Sequence, residues 1–394
     1  MTLAEADREQ VTHATDERVF CNARIVLPDG EIHGGLVIRE GNIADIFSGS
    51  IHGARSVDLE GDYLIPGLID LHTDNLEKHF TPRPGVNWPG VAAVLGHDAQ
   101  VIAAGITTVF DALALGSSAN REERKKLFPH MIAALEAATE SGLPRADHKL
   151  HIRCEVTDPD ISSLFENYAT HPLTAFISLM DHAPGQRQYP DLDAYRARML
   201  KHGRMSRTEI DAHIALRVSQ SQSFGGANRA ALAHRAHGLA LPVASHDDAN
   251  EAHVAEAVSL GVTICEFPTT HEAARAARTA GMAILGGAPN VVRGGSHTGN
   301  VSTQALFEAG LLDMLSSDYV PASLLMAAFA LANPMNCVAL HRAIDLVSGA
   351  PARAAGLTDR GAIATGLRAD LVQVRAQGDT PLVRRVWRAG RRVL

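Results

Sequence analysis

Apolar and polar positions change rhythm twice along this 394-residue chain. From residue 19 to 65, short β-branched runs alternate with polar positions and break at PDG and EGN turns, as in VFCNARIVLPDGEIHGGLVIREGNIADIF. This is the pattern of β-hairpins. It returns over 356–394 in GAIATGLRADLVQVRA and PLVRRVWRAGRRV. Two β segments at opposite ends of a chain can pair, so 19–65 plus 356–394 are expected to form one small β-sandwich module. Residues 1–18 are polar and are expected to form a flexible tail.

Between these ends, over 66–355, the pattern becomes strand, loop, helix, repeated. Eight apolar runs read as strands: 64–72, 106–113, 149–156, 174–182, 241–247, 263–267, 283–288 and 314–319. Helical stretches such as REERKKLFPHMIAALEAATESG (121–142) separate them. Strands alternating with helices build a parallel sheet. Eight of them predict an α/β fold, a (β/α)8 TIM-type barrel over 66–355. A doubly wound open sheet is the main competitor, but no GxGxxG follows the first strand. Residues 190–238 are long, polar and helical and read as an insertion between strands four and five.

The net charge of -8 argues against a general nucleic-acid binder. It leaves room for a local cluster of Lys and Arg to grip a small polyanion. The four cysteines (Cys21, Cys154, Cys265 and Cys337) form no CxxC and suggest no disulfide framework, so a reducing cytoplasm is expected. Met1 to Arg18 has no apolar core of a secretory signal, and no apolar run is as long as a membrane span.

Candidate chemistry lies where the apolar strands stop. LIPGLIDLHTDNLEKHFTPRPG (64–85) begins as a buried strand and ends in His72, Asp74, Glu77, Lys78, His79 and Arg83. In a barrel of this kind the site lies at the C-terminal strand ends. Strand one ends in His72 and Asp74, strand three in Glu155, strand four in His182, strand five in His246 and strand eight in Asp318. Any one of these histidines alone is more often a surface or hydrogen-bonded residue. Six residues of two types recurring at one structural level point to metal, because buried charge is costly without a partner or an ion. Imidazole with carboxylate suits zinc, manganese or iron rather than calcium. Six ligands exceed one tetrahedral zinc and fit two divalent ions about 3.5–4 Å apart. Glu155 is the expected bridge, and Asp318 is expected to hold one ion and take the proton of the attacking water.

Three loops favour an anion. Lys78 and Arg83 sit in EKHFTPRPG, Arg187 in HAPGQRQY, and Arg293, Ser296 and His297 in the glycine-rich GGAPNVVRGGSHTGN (286–300). Each loop alone is weak evidence, since glycine loops are often only turns. Two further strings are discounted. The glycine loop lacks GK[ST] and is not a Walker motif. Ser245-His246-Asp247 cannot form one relay, because adjacent strand residues point to opposite faces. Asp247 or Asp248 can equally cap the helix that follows. Asp74 can also support a histidine rather than bind an ion. His97 and His148 are treated as non-ligands, and His151 is left open.

With both chain ends β-rich and PGLIDLH entering a barrel, the sequence resembles the amidohydrolase superfamily. More narrowly, it is similar to the PhnM family of the carbon–phosphorus lyase pathway. The resemblance rests on LHTDNLEKHFTPRPGVNWP, HIRCEVTDPD, SLMDHAPGQRQY, ASHDDANEAHVAE, EFPTTHEAA, GAPNVVRGGSHTGN and LSSDYVPASLL, and it runs from about residue 19 onward. It implies hydrolysis of α-D-ribose 1-methylphosphonate 5-triphosphate to the 5-phosphate and diphosphate. Most superfamily members carry HxH after strand one and a carbamylated lysine as bridge; here stand His72-Thr-Asp74 and Glu155. The superfamily usually draws its later ligands from strands four, five, six and eight, which leaves His182 and Glu266 as alternatives for one place. The competing reading is an amidohydrolase acting on C–N bonds of a cyclic amide or acetylated amino sugar. A small neutral amide has no need of three basic loops. A third reading, a non-catalytic subunit, should have lost ligands. A barrel with an added β module often dimerises, so a homodimer is an option.

Overall fold

The computed structural model describes residues 17–49, 56–116, 122–201, 205–296, 299–332, 338–378 and 380–394. Most of the expected tail, with His297 and Cys337, lies outside the described residues.

Eight parallel strands pair in chain order, each within or overlapping one of the apolar runs. They are Leu68–Thr73, Ile106–Leu115, Asp147–Glu155, Thr174–Met180, Val243–His246, Ile264–Glu266, Ala283–Gly287 and Met314–Ser316. The barrel closes at its C-terminal end by main-chain bonds between strands eight and one. Asp74 N donates to Asp318 O at 2.7 Å, and Asp318 N donates to His72 O at 3.0 Å. At the other end Leu346 and Val347 wedge into the seam, accepting from Leu315 N and Ile69 N at 2.9 Å each.

Ile69, Leu71, Phe110, Phe176, Ala244, Ile264, Leu285 and Met314 fill one core layer, with every strand but the third supplying a side chain. The third supplies His151. Its ring lies 4.3 Å from that of Phe176, and its nitrogens reach Leu71 O and Ser178 Oγ at 2.9 Å each. Burial lowers its pKa to about 3, so it is a neutral, satisfied core histidine. The alternate residues Ile152, Cys154 and Val156 face the helices, among Phe128, Met131 and Leu135.

The chain ends share a second sheet, as expected. Tyr63–Pro66 runs parallel to Glu17–Leu27 on one side and antiparallel to Leu371–Gln377 on the other. Gly67 then leads directly into the first barrel strand. A Cβ there would lie 2.2 Å from Thr107 Oγ1, so only glycine passes. Among the described residues no helix is long and apolar enough to cross a membrane.

A buried charge network ties helix Gly90–Ala103 to strands two and three. Asp111 accepts from His97 Nε2 at 2.7 Å and from His148 Nδ1 at 2.8 Å, and His148 Nε2 lies 3.5 Å from Asp98. Asn75 donates to His97 Nδ1 at 3.0 Å. His97, Asp111 and His148 could face a metal ion, but both Asp111 oxygens and His97 already have partners, so the network needs none. Burial alone would lower the His148 pKa, yet Asp111 and Asp98 raise it to about 9. Burial would raise that of Asp111, yet His148 and His97 hold it at about 2. Asp111→Asn leaves a buried imidazolium poorly paired and is expected to cost about 3–5 kcal/mol in urea unfolding. The His148 contribution is complete below its unfolded pKa of 6.5 and lost as pH rises through about 9. His148→Gln is therefore expected to remove that part of the alkaline loss of stability.

Candidate active site

Three non-glycine residues just past strands five, six and eight hold left-handed backbone: Asp247 (φ 56), Phe267 (φ 54) and Asp318 (φ 53). Such conformations cost energy and cluster at functional sites. Each is held by the neighbouring strand: Asp247 N donates to Glu266 O at 2.9 Å, Phe267 N to Leu285 O at 2.9 Å, and Asp318 N to His72 O. The kink at Asp247 corrects a strand-based expectation. Ser245 does turn away, donating to Asp248. His246 and Asp247, however, come to the same side, with Nδ1 2.8 Å from Oδ2. The following helix is capped by Asn250, which accepts from His253 N at 2.9 Å, and not by Asp247 or Asp248.

His72 is fully buried. Its Nδ1 lies 2.8 Å from Glu266 Oε1 and its Nε2 lies 3.3 Å from Asp74 Oδ1. The same Asp74 oxygen accepts from Arg153 at 2.6 Å. His182 Nδ1 donates to Glu155 Oε2 at 2.8 Å. Donor atoms converge in three overlapping groups: His72 with Asp74 and Asp318, His182 with His246 and Asp247, and His72 with His246 and Glu266. The structure thus brings five of the six expected ligands to one mouth and adds Asp247 and Glu266. Glu155 stands one step behind. Its Oε1 accepts from Thr157 at 2.6 Å and Arg217 at 3.0 Å, so both oxygens have protein partners. Glu266 carries the same signal as the others, a carboxylate closing an apolar strand. Asp247 carries no such signal, because only the backbone kink turns it inward.

The charges do not balance without a cation. Among the described residues, four carboxylates, Asp74, Asp247, Asp318 and Glu266, converge on two lining cations, Arg153 and the His72 imidazolium. Burial and the charge of Asp74 raise the Asp318 pKa to about 7. Burial would lower that of His72, but Glu266, with Asp74, raises it to about 10. Burial would raise that of Glu266, but the charge and hydrogen bond of His72 lower it to about 2. His246 Nε2 and Glu266 Oε2 lie 3.9 Å apart, both buried and without a hydrogen-bond partner among the described residues. A ring nitrogen and a carboxylate oxygen, both buried and unpartnered at this separation, leave room for a cation between them, so the donor set fits divalent metal.

The basic loops divide. Lys78 is at the rim, its Nζ donating to Tyr319 O at 2.5 Å, and Tyr319 lines the cavity. Ser296 lines it too, with Gln188, Asn290, Asn300 and Thr303. Arg83 is exposed in the loop after strand one, and Arg293 is exposed in the last turn of helix Ala288–Arg293. Arg187 is buried away from the cavity, donating to Asp248 at 2.6 Å and to His246 O at 3.2 Å. Gly286 serves packing, since a Cβ there would lie 2.5 Å from Thr303. His297 lies outside the described residues.

A closed parallel barrel with histidines and carboxylates at its strand ends defines an amidohydrolase-type enzyme, and a model of the amidohydrolase family matches residues 165–394. Solved structures agree on the fold. A 5-methylcytosine deaminase from Klebsiella pneumoniae covers 95% of this chain and 97% of its own, at TM-score 0.65 and 15% identity. A dihydropyrimidinase from Brevibacillus agri covers 96% and 95%, at TM-score 0.58 and 13% identity. The α-D-ribose 1-methylphosphonate 5-triphosphate diphosphatase of Escherichia coli (strain K12) is 43% identical over 376 residues, 95% of this chain and all of that protein. The chain belongs to that enzyme's family, the PhnM family of the amidohydrolase superfamily. Members of this superfamily use divalent metal ions.

Proposed function

We propose that this protein is a metal-dependent hydrolase that cleaves α-D-ribose 1-methylphosphonate 5-triphosphate to the 5-phosphate and diphosphate, in cytoplasmic phosphonate catabolism. The observation that carries this reading is the 43% identity spanning the whole of the diphosphatase from Escherichia coli. The convergent donor set supports it.

His72, Asp74 and Asp318 would hold one divalent ion and His182, His246 and Asp247 a second, and Glu266, grouped with His72 and His246, would add a further carboxylate ligand. Nitrogen and oxygen donors of this kind suit zinc, with manganese or iron as alternatives. Bound there, the ions would lower the pKa of water and offset phosphate charge. Asp318 would accept the proton of the attacking water. The new bond joins the water oxygen to the α-phosphorus. The bond from that phosphorus to the oxygen it shares with the β-phosphorus breaks, and diphosphate leaves with the electron pair. Glu155 acts through His182, by holding its Nδ1–H, rather than as the bridge. Arg153 faces the growing negative charge from the cavity wall, and Lys78, Ser296 and the amides of Gln188, Asn290 and Asn300 serve the rest of the triphosphate. Arg187 acts as a structural ion pair, and Arg83 and Arg293 remain outer guides for an anion.

The test is ³¹P NMR of the metal-loaded protein with the ribose triphosphate. Diphosphate with a 5-monoester supports the reading; no turnover overturns it and turns attention to cyclic amides. Arg153→Gln is expected to lower kcat/KM about 10²–10³-fold, as loss of one transition-state donor does, in steady-state assays of diphosphate release.

A further inference from the structure

The second half of the segment between strands four and five, residues 207–238, is a nearly unbroken helical rod with a fault in it. Helix Arg207–Gln220 passes through a π-turn, Ser221–Gly225, into helix Gly226–Gly238. π-turns are rare and gather at functional sites. His213, Arg217, Ser221, Gly225, Arg229 and Ala233 fall on every fourth position of this rod. Five of the six are buried and Ser221 is half-buried. In an unbroken α-helix Arg217 and Arg229 would point about 120° apart; one extra residue in the turn reduces this to about 20°.

Both arginines then reach the barrel. Arg217 donates to Glu155 Oε1 at 3.0 Å, behind strand three. Arg229 donates to Asp181 Oδ2 at 2.9 Å, behind strand four. Ser221, inside the π-turn, donates to the same Asp181 oxygen at 2.7 Å. A Cβ on Gly225 would lie 3.1 Å from Arg229 and 3.6 Å from Asp181, so the glycine leaves room for the pair. Asn228 holds the loop after strand three through Val156 O and Asp158 O, at 2.8 and 3.0 Å. Between these grips sit the two ends of one hydrogen bond, Glu155 and His182. A carboxylate paired with Arg217 has no proton to give, so His182 must present Nδ1–H to it. Nε2 is left for an ion.

We propose that this rod is a built-in clamp for His182: its π-turn brings Arg217 and Arg229 to the barrel together, and Arg217, through Glu155, fixes which nitrogen of His182 faces a metal ion. Arg217 is thus a positioning residue. The inference rests on the metal centre described above but not on the identity of the substrate. Its test is Co²⁺ titration of the metal-stripped full chain, read by equilibrium dialysis and the visible absorption of bound Co²⁺. Loss of an outer partner of a ligating histidine typically weakens metal binding 10–100-fold. Arg217→Gln is expected to lower Co²⁺ affinity by about that much and to match the absorption change of His182→Ala, with Arg217→Lys recovering part. Inserting one alanine after the exposed Gln222 keeps both arginines but turns them from about 20° to about 120° apart, and is expected to give the same loss. Should Arg217→Gln not fold, the insertion carries the test. Wild-type Co²⁺ binding in Arg217→Gln, in the insertion or in His182→Ala overturns the clamp. A protein that shows these losses but leaves the triphosphate intact keeps the clamp and overturns the proposed function.

Discussion

Asp318→Asn is expected to lower kcat about 10²–10⁴-fold, the range associated with a positioned general base, with the fold intact. Asp318 follows strand eight in left-handed backbone (φ 53), which asparagine tolerates at least as readily as aspartate. Its main chain closes the barrel seam through Asp74 N and His72 O. Those bonds survive the change, and only the ionisable oxygen is lost. In the metal-free protein the carboxyl is crowded by Asp74, which with burial raises its pKa to about 7, so an amide relieves repulsion and does not destabilise. Initial rates of diphosphate release and a melting curve check both halves. A kcat within tenfold of wild type would remove Asp318 from the proton-accepting role.

Stripping divalent ions is expected to abolish turnover, by at least about 10³-fold, in keeping with the several kcal/mol an ion supplies as a Lewis acid. Four carboxylates (Asp74, Asp247, Asp318 and Glu266) and one lining arginine meet at the barrel mouth. A triphosphate would enter that mouth as an anion among anions. The ions are thus expected to serve binding as well as chemistry, and the stripped protein should show weaker substrate binding too. Ligand linkage adds a stability effect: at a free-ion concentration of 1,000 Kd the folded state gains about 4 kcal/mol. Elemental analysis, calorimetric melting and re-addition of Zn²⁺, Mn²⁺ or Fe²⁺ measure all three. A protein shown to be metal-free that still turns over would sink the metal-dependent reading.

The barrel was legible because a strand buried on both faces needs an unbroken apolar run, and eight such runs recur between helical stretches. His72, His182, His246 and Asp318 were legible because an ionisable group ending an apolar run is costly without a purpose. Glu266 carried the same mark and appeared in the sequence only as an alternative to His182; the structure brings both to the mouth. Arg187 read as a solvated, anion-seeking loop residue. Its partners Asp248 and Glu256 lie 61 and 69 residues further on, and nothing local announces them. The period-two rule failed at Asp247, where one left-handed residue turns two neighbours to the same side.

By itself, the sequence determined which elements form, where each strand stops, and the types of donor side chain waiting there, since hydrophobic periodicity and the cost of buried charge are local properties. It also carried the resemblance to the PhnM family. Tertiary structure alone decided which carboxylate touches which histidine. Glu155 moves behind His182 because Arg217, 62 residues away, neutralises it; Asp247 moves forward because the strand-six backbone holds its kink. Pairings of that kind depend on closure of the barrel and the phase of a distant helix, and neither is written in any short stretch of residues.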